Sequence, residues 1–328
     1  MIARKLRALL SGGTALSLAL VASPAMAQLV NSGDLVDAID NGGNAGQLLV
    51  TDFSATRTDM QVLAPVVVAN WSRFNVPTNT TVNIAPTSGL TSATLVNRVI
   101  GASFSDISGT INASNINLWL INQNGILFGN GAAVNSASFF ASTLAVSDAD
   151  LFDFYSGTDL SGNGPNTLRF SGSLGNAIAT SSPNVSFVTD GSLVFLSEQL
   201  NLNANFDAGT GRVSFITAAD VSVGFTPGSP LAFTVNSGST LAQGQAVGGS
   251  VAGAGADFAM FTASGVMNAV LQVNATVSAT TAVPTDNGVR LIADQGGLGG
   301  VRVELGGEIT STGAVALNTD GNFVATAP

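Results

Sequence analysis

Apolar positions in this chain come in short runs, not in helical stripes. Beyond residue 27 the runs are rich in Val, Ile, Thr and Phe, and Gly, Asn, Asp or Pro bounds each one. That is the pattern of short β-strands separated by turns. It predicts strands at 81–84, 95–100, 116–121, 192–196, 200–204, 212–216 and 221–225. The last four centre near 194, 202, 213 and 223, and two runs per ~20 residues is the length of one β-helix coil. Gly211-Arg212-Val213-Ser214, Gly288-Val289-Arg290-Leu291 and Gly300-Val301-Arg302-Val303 repeat one phrase, and runs at 308–312, 314–318 and 322–326 carry the rhythm to the end. A single helix is expected after residue 27, at 32–40, where Leu35, Val36 and Ile39 share a face.

Two architectures fit regularly spaced short strands. A β-sandwich needs many hairpins, yet Asp190-Gly191, Asn287-Gly288 and Asp320-Gly321 are the main hairpin signals. In a solenoid each coil stacks on the last, so unpaired strand edges remain only at the ends. The expected fold is therefore all-β: a right-handed parallel β-helix with N-terminal capping strands supplied by residues 28 to about 65. The expected division is 1–27, a signal peptide; 28–225, the first β-helix domain; and 226–328, further coils with a Gly/Ala/Ser-rich excursion over 226–285.

The first segment has its own logic. Arg4, Lys5 and Arg7 precede an apolar stretch, and Ala25-Met26-Ala27 fits the small-residue cleavage pattern, which makes Gln28 the first mature residue. The apolar stretch is shorter than the ~20 residues a spanning helix needs. Removing it leaves seven basic residues against 20 acidic ones, a net charge of −13, with no lysine and no histidine. So acidic a surface repels phosphate backbones and anionic lipid, so no nucleic-acid partner is expected. Charged residues are only 9% of the chain while apolar ones are 45%. A core is affordable, and Ser, Thr, Asn and Gly must cover it.

The missing residue types narrow the chemistry. There is no cysteine, so no disulfide supports the fold in an oxidising compartment, and none obstructs passage of an unfolded chain through a pore. Without His, Cys or mature Lys, the Ser-His-Asp, Cys-His and Ser-Lys arrangements and His/Cys zinc sites are excluded. Carboxylate chemistry stays open. Asp148, Asp150 and Asp153 form the densest acidic cluster, either Ca²⁺ ligands or a solvated loop after the 141–146 strand, the reading we favour. Arg98, Arg169 and Arg212 are either lyase-type bases or coil-face residues, again the latter preferred. Trp71 and Trp119 are expected in core or cap packing before sugar stacking. No cofactor or metal is expected, and no enzymatic activity.

Residues 71–143 carry a resemblance. Trp71-Ser72-Arg73-Phe74-Asn75-Val76, then Leu95-Val96-Asn97-Arg98-Val99-Ile100-Gly101 with Ser105-Asp106-Ile107-Ser108-Gly109-Thr110-Ile111, then Asn117-Leu118-Trp119-Leu120-Ile121-Asn122-Gln123-Asn124-Gly125-Ile126-Leu127-Phe128-Gly129, and finally Ala141-Ser142-Thr143 resemble, in order, the blocks of the haemagglutination-activity, or two-partner secretion, domain of filamentous-haemagglutinin-like exoproteins. Gln123 stands where that family usually has Pro, which would fix φ near −65° in the turn. The resemblance implies a secreted or surface-exposed exoprotein of a Gram-negative bacterium, an adhesin by analogy. The Sec translocon would deliver it to the periplasm, periplasmic domains of an outer-membrane partner transporter would bind it, and a host-cell or surface receptor would await it outside. It also points to Asn97, Arg98, Asn122, Gln123, Asn124, Gly125 and Ile126 as the secretion motif. From the residues alone, Asn122-Gln123-Asn124-Gly125 is first a structural turn, because Asn and Gly tolerate left-handed backbone; a docking element is the sharper alternative. Two other classes stay open: a β-helical polysaccharide-degrading enzyme and a structural surface or biofilm protein.

Overall fold

Strands of successive coils pair in parallel, in three rows. The computed structural model describes residues 28–40, 42–156, 167–172, 174–224, 232–241, 244–263, 269–279, 289–294 and 301–325. One coil shows the plan. Ser105–Ile107 lies in the first row, residues 110–113 of strand Thr110–Ile121 in the second, and residues 116–121 in the third. A corner at 122–125 then returns the chain to Ile126–Phe128, which lies against Ser105–Ile107. The next coil repeats the path, with Ile111 opposite Val134 and Trp119 opposite Phe140. This is the expected parallel β-helix, and its stacking continues to Asn322–Ala325, paired with Val301–Leu305. The N-terminal cap is antiparallel: Leu35–Asp40 runs against Val66–Trp71, and Leu48–Ser54 against Arg57–Val62.

Side-chain alternation makes the interior. Strand Leu200–Asp207 buries Leu202, Ala204 and Phe206 and exposes Asn201, Asn203 and Asn205, the period-two pattern of a half-buried strand. Because coils pair in register, each inward residue stacks on its equivalent. Phe187 lies on Phe206 with ring centroids 5.3 Å apart, Phe195 on Phe215 at 5.6 Å, and Phe215 on Phe258 at 5.2 Å. The second row carries an outer ladder of amides, in which Asn83 donates to Asp59 at 2.8 Å, Asn112 to Asn83 at 3.1 Å and Asn135 to Asn112 at 3.1 Å.

From Val68 to Asp257 the third row is buried on both faces. Its outer ladder runs Val68, Val96, Trp119, Phe140, Val194, Ser214, Asp257 and Arg290. Helix Asp148–Ser156 and an antiparallel sheet of Thr167–Phe170, Asp220–Gly224 and Ala232–Ser237 bring Leu151, Leu168, Phe170, Val221 and Val223 over its apolar part. Where the ladder turns polar, Asp257 is fully buried and accepts from Arg212 Nε at 2.6 Å, Ser214 Oγ at 2.9 Å and Arg290 Nε at 2.5 Å. Burial pushes the Asp257 carboxyl up, but the two guanidiniums outweigh it and hold the group below the ordinary carboxylate range.

Several sequence expectations are corrected here. Residues 32–40 are not a helix: a short 3₁₀ turn, Ser32–Asp34, closes through a capping box with Asn31, and strand Leu35–Asp40 follows. Pairing with Val66–Trp71 outweighs a weak helical face. The segment after Val146 is no loop but helix Asp148–Ser156, started by Ser147, whose hydroxyl accepts from the Asp150 amide at 3.0 Å. The run at 221–225 is a strand, Asp220–Gly224, but it lies in the antiparallel cover and not in a coil. Asp190-Gly191 and Asp320-Gly321 are coil corners, not hairpins; Asn287-Gly288 lies outside the described residues. Within 226–285, Ala232–Ser237 belongs to the cover, whereas Gln245–Gly253, Gly255–Phe261 and Ala269–Ala279 are coil strands.

Glycines let the backbones of neighbouring corners touch. A Cβ on Gly211 would lie 2.2 Å from the Gly191 carbonyl carbon, and one on Gly191 would lie 2.8 Å from the Ala137 oxygen. Gly211→Ala is therefore expected to lower stability by about 2–3 kcal/mol through forced separation of coils, read as a lower urea midpoint.

Candidate functional site

The resemblance blocks converge on the edge where the third row turns into the first. Asn122, fully buried, donates through Nδ2 to Ser103 O and to Ser105 Oγ, both at 3.0 Å. Its Oδ1 accepts from the Asn124 amide at 2.9 Å, and Gly125 N donates to Asn122 O at 3.1 Å. Gly125 has φ +106°, a region L side chains rarely adopt. Asn124 Nδ2 reaches Gly101 O at 2.7 Å. From the other side Asn176 Nδ2 donates to Gln123 O at 2.9 Å, and Gln123 Nε2 donates to Gly172 O. The turn is thus tied to the preceding corner and to the following segment. With Gln at position 123 the side chain supplies a cross-coil bond that a proline has no group to make. Ile126 is buried in the first row.

The 95–101 block works one coil earlier. Asn97 points inward: Trp71 Nε1 donates to its Oδ1 at 3.0 Å, and its Nδ2 donates to Trp119 O at 3.0 Å. Both tryptophans are buried, Trp71 edge-on to Phe74 at 5.4 Å and Trp119 stacked on Phe140 at 4.6 Å. Asn97→Ala takes away the partner of the buried Trp71 Nε1, so it is expected to cost about 1–3 kcal/mol, measured as a shift of the chemical unfolding midpoint. A Cβ on Gly101 would sit 1.9 Å from Ser72 O, which explains glycine at the end of that block.

Arg98 faces the cleft. Its guanidinium bonds Asn70 Oδ1 at 3.0 Å and Val146 O at 3.3 Å and pairs with Asp148. A cavity of about 480 Å³ opens beside it, lined among others by Ile100, Gly101, Gln123, Asn124, Asp148 and Leu174. Exposed apolar side chains flank it: Ile100 is 59% exposed and Leu174 62%, and Phe104 stands nearby, 3.8 Å from where a Gly125 Cβ would be.

The structure thus brings Arg98, Gln123 and Asn124 to one cleft and places Asn97, Asn122, Gly125 and Ile126 beneath it. The sequence reading missed Asp148 as partner of Arg98, and Ile100, Phe104, Leu174 and Asn176. Ile100 and Phe104 lay within the recognised stretch; Leu174 and Asn176 carried no signal, because an excursion brings them there. Arg98, Arg169 and Arg212 each hold a different carboxylate, Asp148, Asp220 and Asp257 respectively. Among the described residues no three potential metal ligands cluster; the Asp153 side chain lies outside them. Gln28 Oε1 accepts from Arg73 Nη2 at 2.8 Å; Ala25 and Ala27 lie outside the described residues. No described helix is long and apolar enough to cross a membrane.

A family model described as the TPS secretion domain matches residues 57–281, more than half of the 328-residue chain. The chain belongs to the TPS, or two-partner secretion, domain family. Among solved structures, this TPS chain is similar to the secretion domain of HMW1 from Haemophilus influenzae, at 15% identity over 89% of this chain and 75% of that one, with a TM-score of 0.52; a shared fold follows. It is also similar to a filamentous hemagglutinin secretion domain, at 14% identity over 89% of this chain and all of that one, with a TM-score of 0.46. No curated protein matches the sequence of this TPS chain.

Proposed function

We propose that the chain is the secretion module of an exported exoprotein, with the Sec translocon carrying it to the periplasm after cleavage between Ala27 and Gln28. Periplasmic domains of an outer-membrane transporter then dock on the edge formed by residues 98–104, 122–126 and 174. Outside the cell the exoprotein serves as an adhesin for a cell or surface receptor, without enzymatic activity. The convergence of the resemblance blocks on one edge supports this reading: Asn124 holds Gly101, and Asn122 holds Ser105. In that division of labour Arg98, Gln123 and Asn124 meet the partner, while Asn97, Asn122, Gly125 and Ile126 keep the edge in shape.

The double variant Ile100→Asp, Leu174→Asp tests it, since both side chains are exposed and contribute little to the fold. Binding to the isolated periplasmic domains and the yield of secreted protein should each drop about tenfold, for a loss near 1.4 kcal/mol, with the unfolding midpoint unchanged. Unaltered secretion by a folded double variant would remove this edge as the docking surface.

A further inference from the structure

A solenoid built of like coils has an ambiguity that apolar packing does not resolve. The inward residues of Leu193–Ser197 are Leu193, Phe195 and Ser197, and those of Arg212–Thr217 are Val213, Phe215 and Thr217. Strand Gly255–Phe261 offers Ala256, Phe258 and Met260. Phe258 stacks on Phe215 at 5.2 Å much as Phe215 stacks on Phe195 at 5.6 Å. On this inner ladder Gly255–Phe261 fits Leu193–Ser197 almost as well as its true neighbour.

The outer ladder differs. In the native order Asp257 lies across from Ser214, with the Arg212 guanidinium on both its oxygens, Nε at 2.6 Å and Nη2 at 2.7 Å. One coil further on, Arg290 pairs directly with Asp257 and places its guanidinium 5.7 Å from the ring of Phe233 in the covering sheet. Seated one coil earlier, Asp257 would face Val194 in the apolar run Trp119, Phe140, Val194. A carboxylate buried there without a guanidinium is strongly unfavourable.

The geometry points to the Arg212–Asp257–Arg290 cluster as a register device that fixes which coil stacks on which in the C-terminal half. It adds specificity where the apolar ladders repeat, a use well attested for buried polar groups. It also links the three coils to the cover through Phe233. From Val68 to Val194 the outer ladder is apolar and read by shape; the steps through Asp257 are read by charge.

The absence of cysteine from the chain makes the test direct. On the second row Ser186, Asn205 and Ser250 lie one above another. A cysteine pair at 205 and 250 reports native order. A pair at 186 and 250 spans two strand spacings, about 9–10 Å, beyond the ~7 Å that a disulfide bridges, and closes only if one coil is skipped. Both pairs are placed in the full chain and in the triple variant Arg212→Met, Asp257→Leu, Arg290→Met, refolded and oxidised. The unaltered cluster should give the 205–250 link alone. The triple variant should keep its thermal midpoint yet yield the 186–250 link on the order of one molecule in ten, equivalent to a gap near 1.4 kcal/mol. A triple variant that forms the 205–250 link alone, at unaltered yield, overturns the proposal. Should it not refold, Asp257→Asn enters the same assay, and native linkage alone in that variant has the same force.

Discussion

Replacing Phe215 with alanine is expected to lower folding stability by about 4 kcal/mol, the middle of the ~3–5 kcal/mol range for emptying an aromatic site. The ring is fully buried. It stacks between Phe195 at 5.6 Å and Phe258 at 5.2 Å and meets Phe206 edge-on at 5.0 Å. Its loss opens two coil interfaces at once, and strands locked in parallel ladders on either side have little room to collapse. Stability in a solenoid is close to a sum of coil terms and nearest-neighbour interfaces. The damage should therefore be local: amide exchange should quicken in Leu193–Ser197, Arg212–Thr217 and Gly255–Phe261 while Thr81–Pro86 keeps its protection. Val188→Ala, on the exposed face of the second row, should shift stability by less than about 0.5 kcal/mol. Equal effects of the two substitutions would contradict the interior assigned to Phe215.

The second large effect concerns export. Cysteines at Asn205 and Ser250, which face solvent and are joined by a 2.8 Å hydrogen bond, would be the only two thiols in a chain that has none, so oxidation in the periplasm should join them to each other. If the proposed route is right, the chain crosses the outer membrane unfolded. A bond closed in the periplasm then holds a loop that a narrow pore does not pass. Secretion should fall to on the order of a tenth or less of the unmodified level, by the arithmetic of a step hindered by more than 1.4 kcal/mol, and a reductant should restore it. Either cysteine alone should secrete normally. Full secretion with the bond demonstrably oxidised inside the cell would rule out unfolded passage. The same physics gives transport a direction: each coil completed outside buries further Val, Ile, Leu and Phe, at about 25 cal/mol per Å² of apolar surface.

Sequence by itself determined the strand content, the coil-length rhythm and the family. Those properties live in local alternation of apolar and polar residues and in turn residues, such as Gly125, whose backbone demands are local. It also assigned Trp71 and Trp119 to core or cap packing, because their neighbours are apolar; Trp71 lies in the solenoid interior and Trp119 beneath the cover. Only tertiary structure decided what lies across from what. Leu35 and Ile39 read as one helical face until pairing with Val66–Trp71 claimed that segment as a strand. The run at 221–225 has the same alternation as a coil strand, and nothing in its composition says that it joins Thr167–Phe170 outside the solenoid. Asp148 and Asp150 form an acidic cluster in sequence; in space Asp148 answers Arg98 across 50 positions and Asp150 meets Ser147 at the helix start. Leu174 and Asn176 reach the Asn-Gln-Asn-Gly corner, and Asp257 reaches Arg212, because intervening excursions bring distant residues onto adjacent coils. Period and turn chemistry are written residue by residue. The order of stacking is a relation between segments far apart in sequence, and at Asp257 it depends on the carboxylate meeting Arg212 and Arg290.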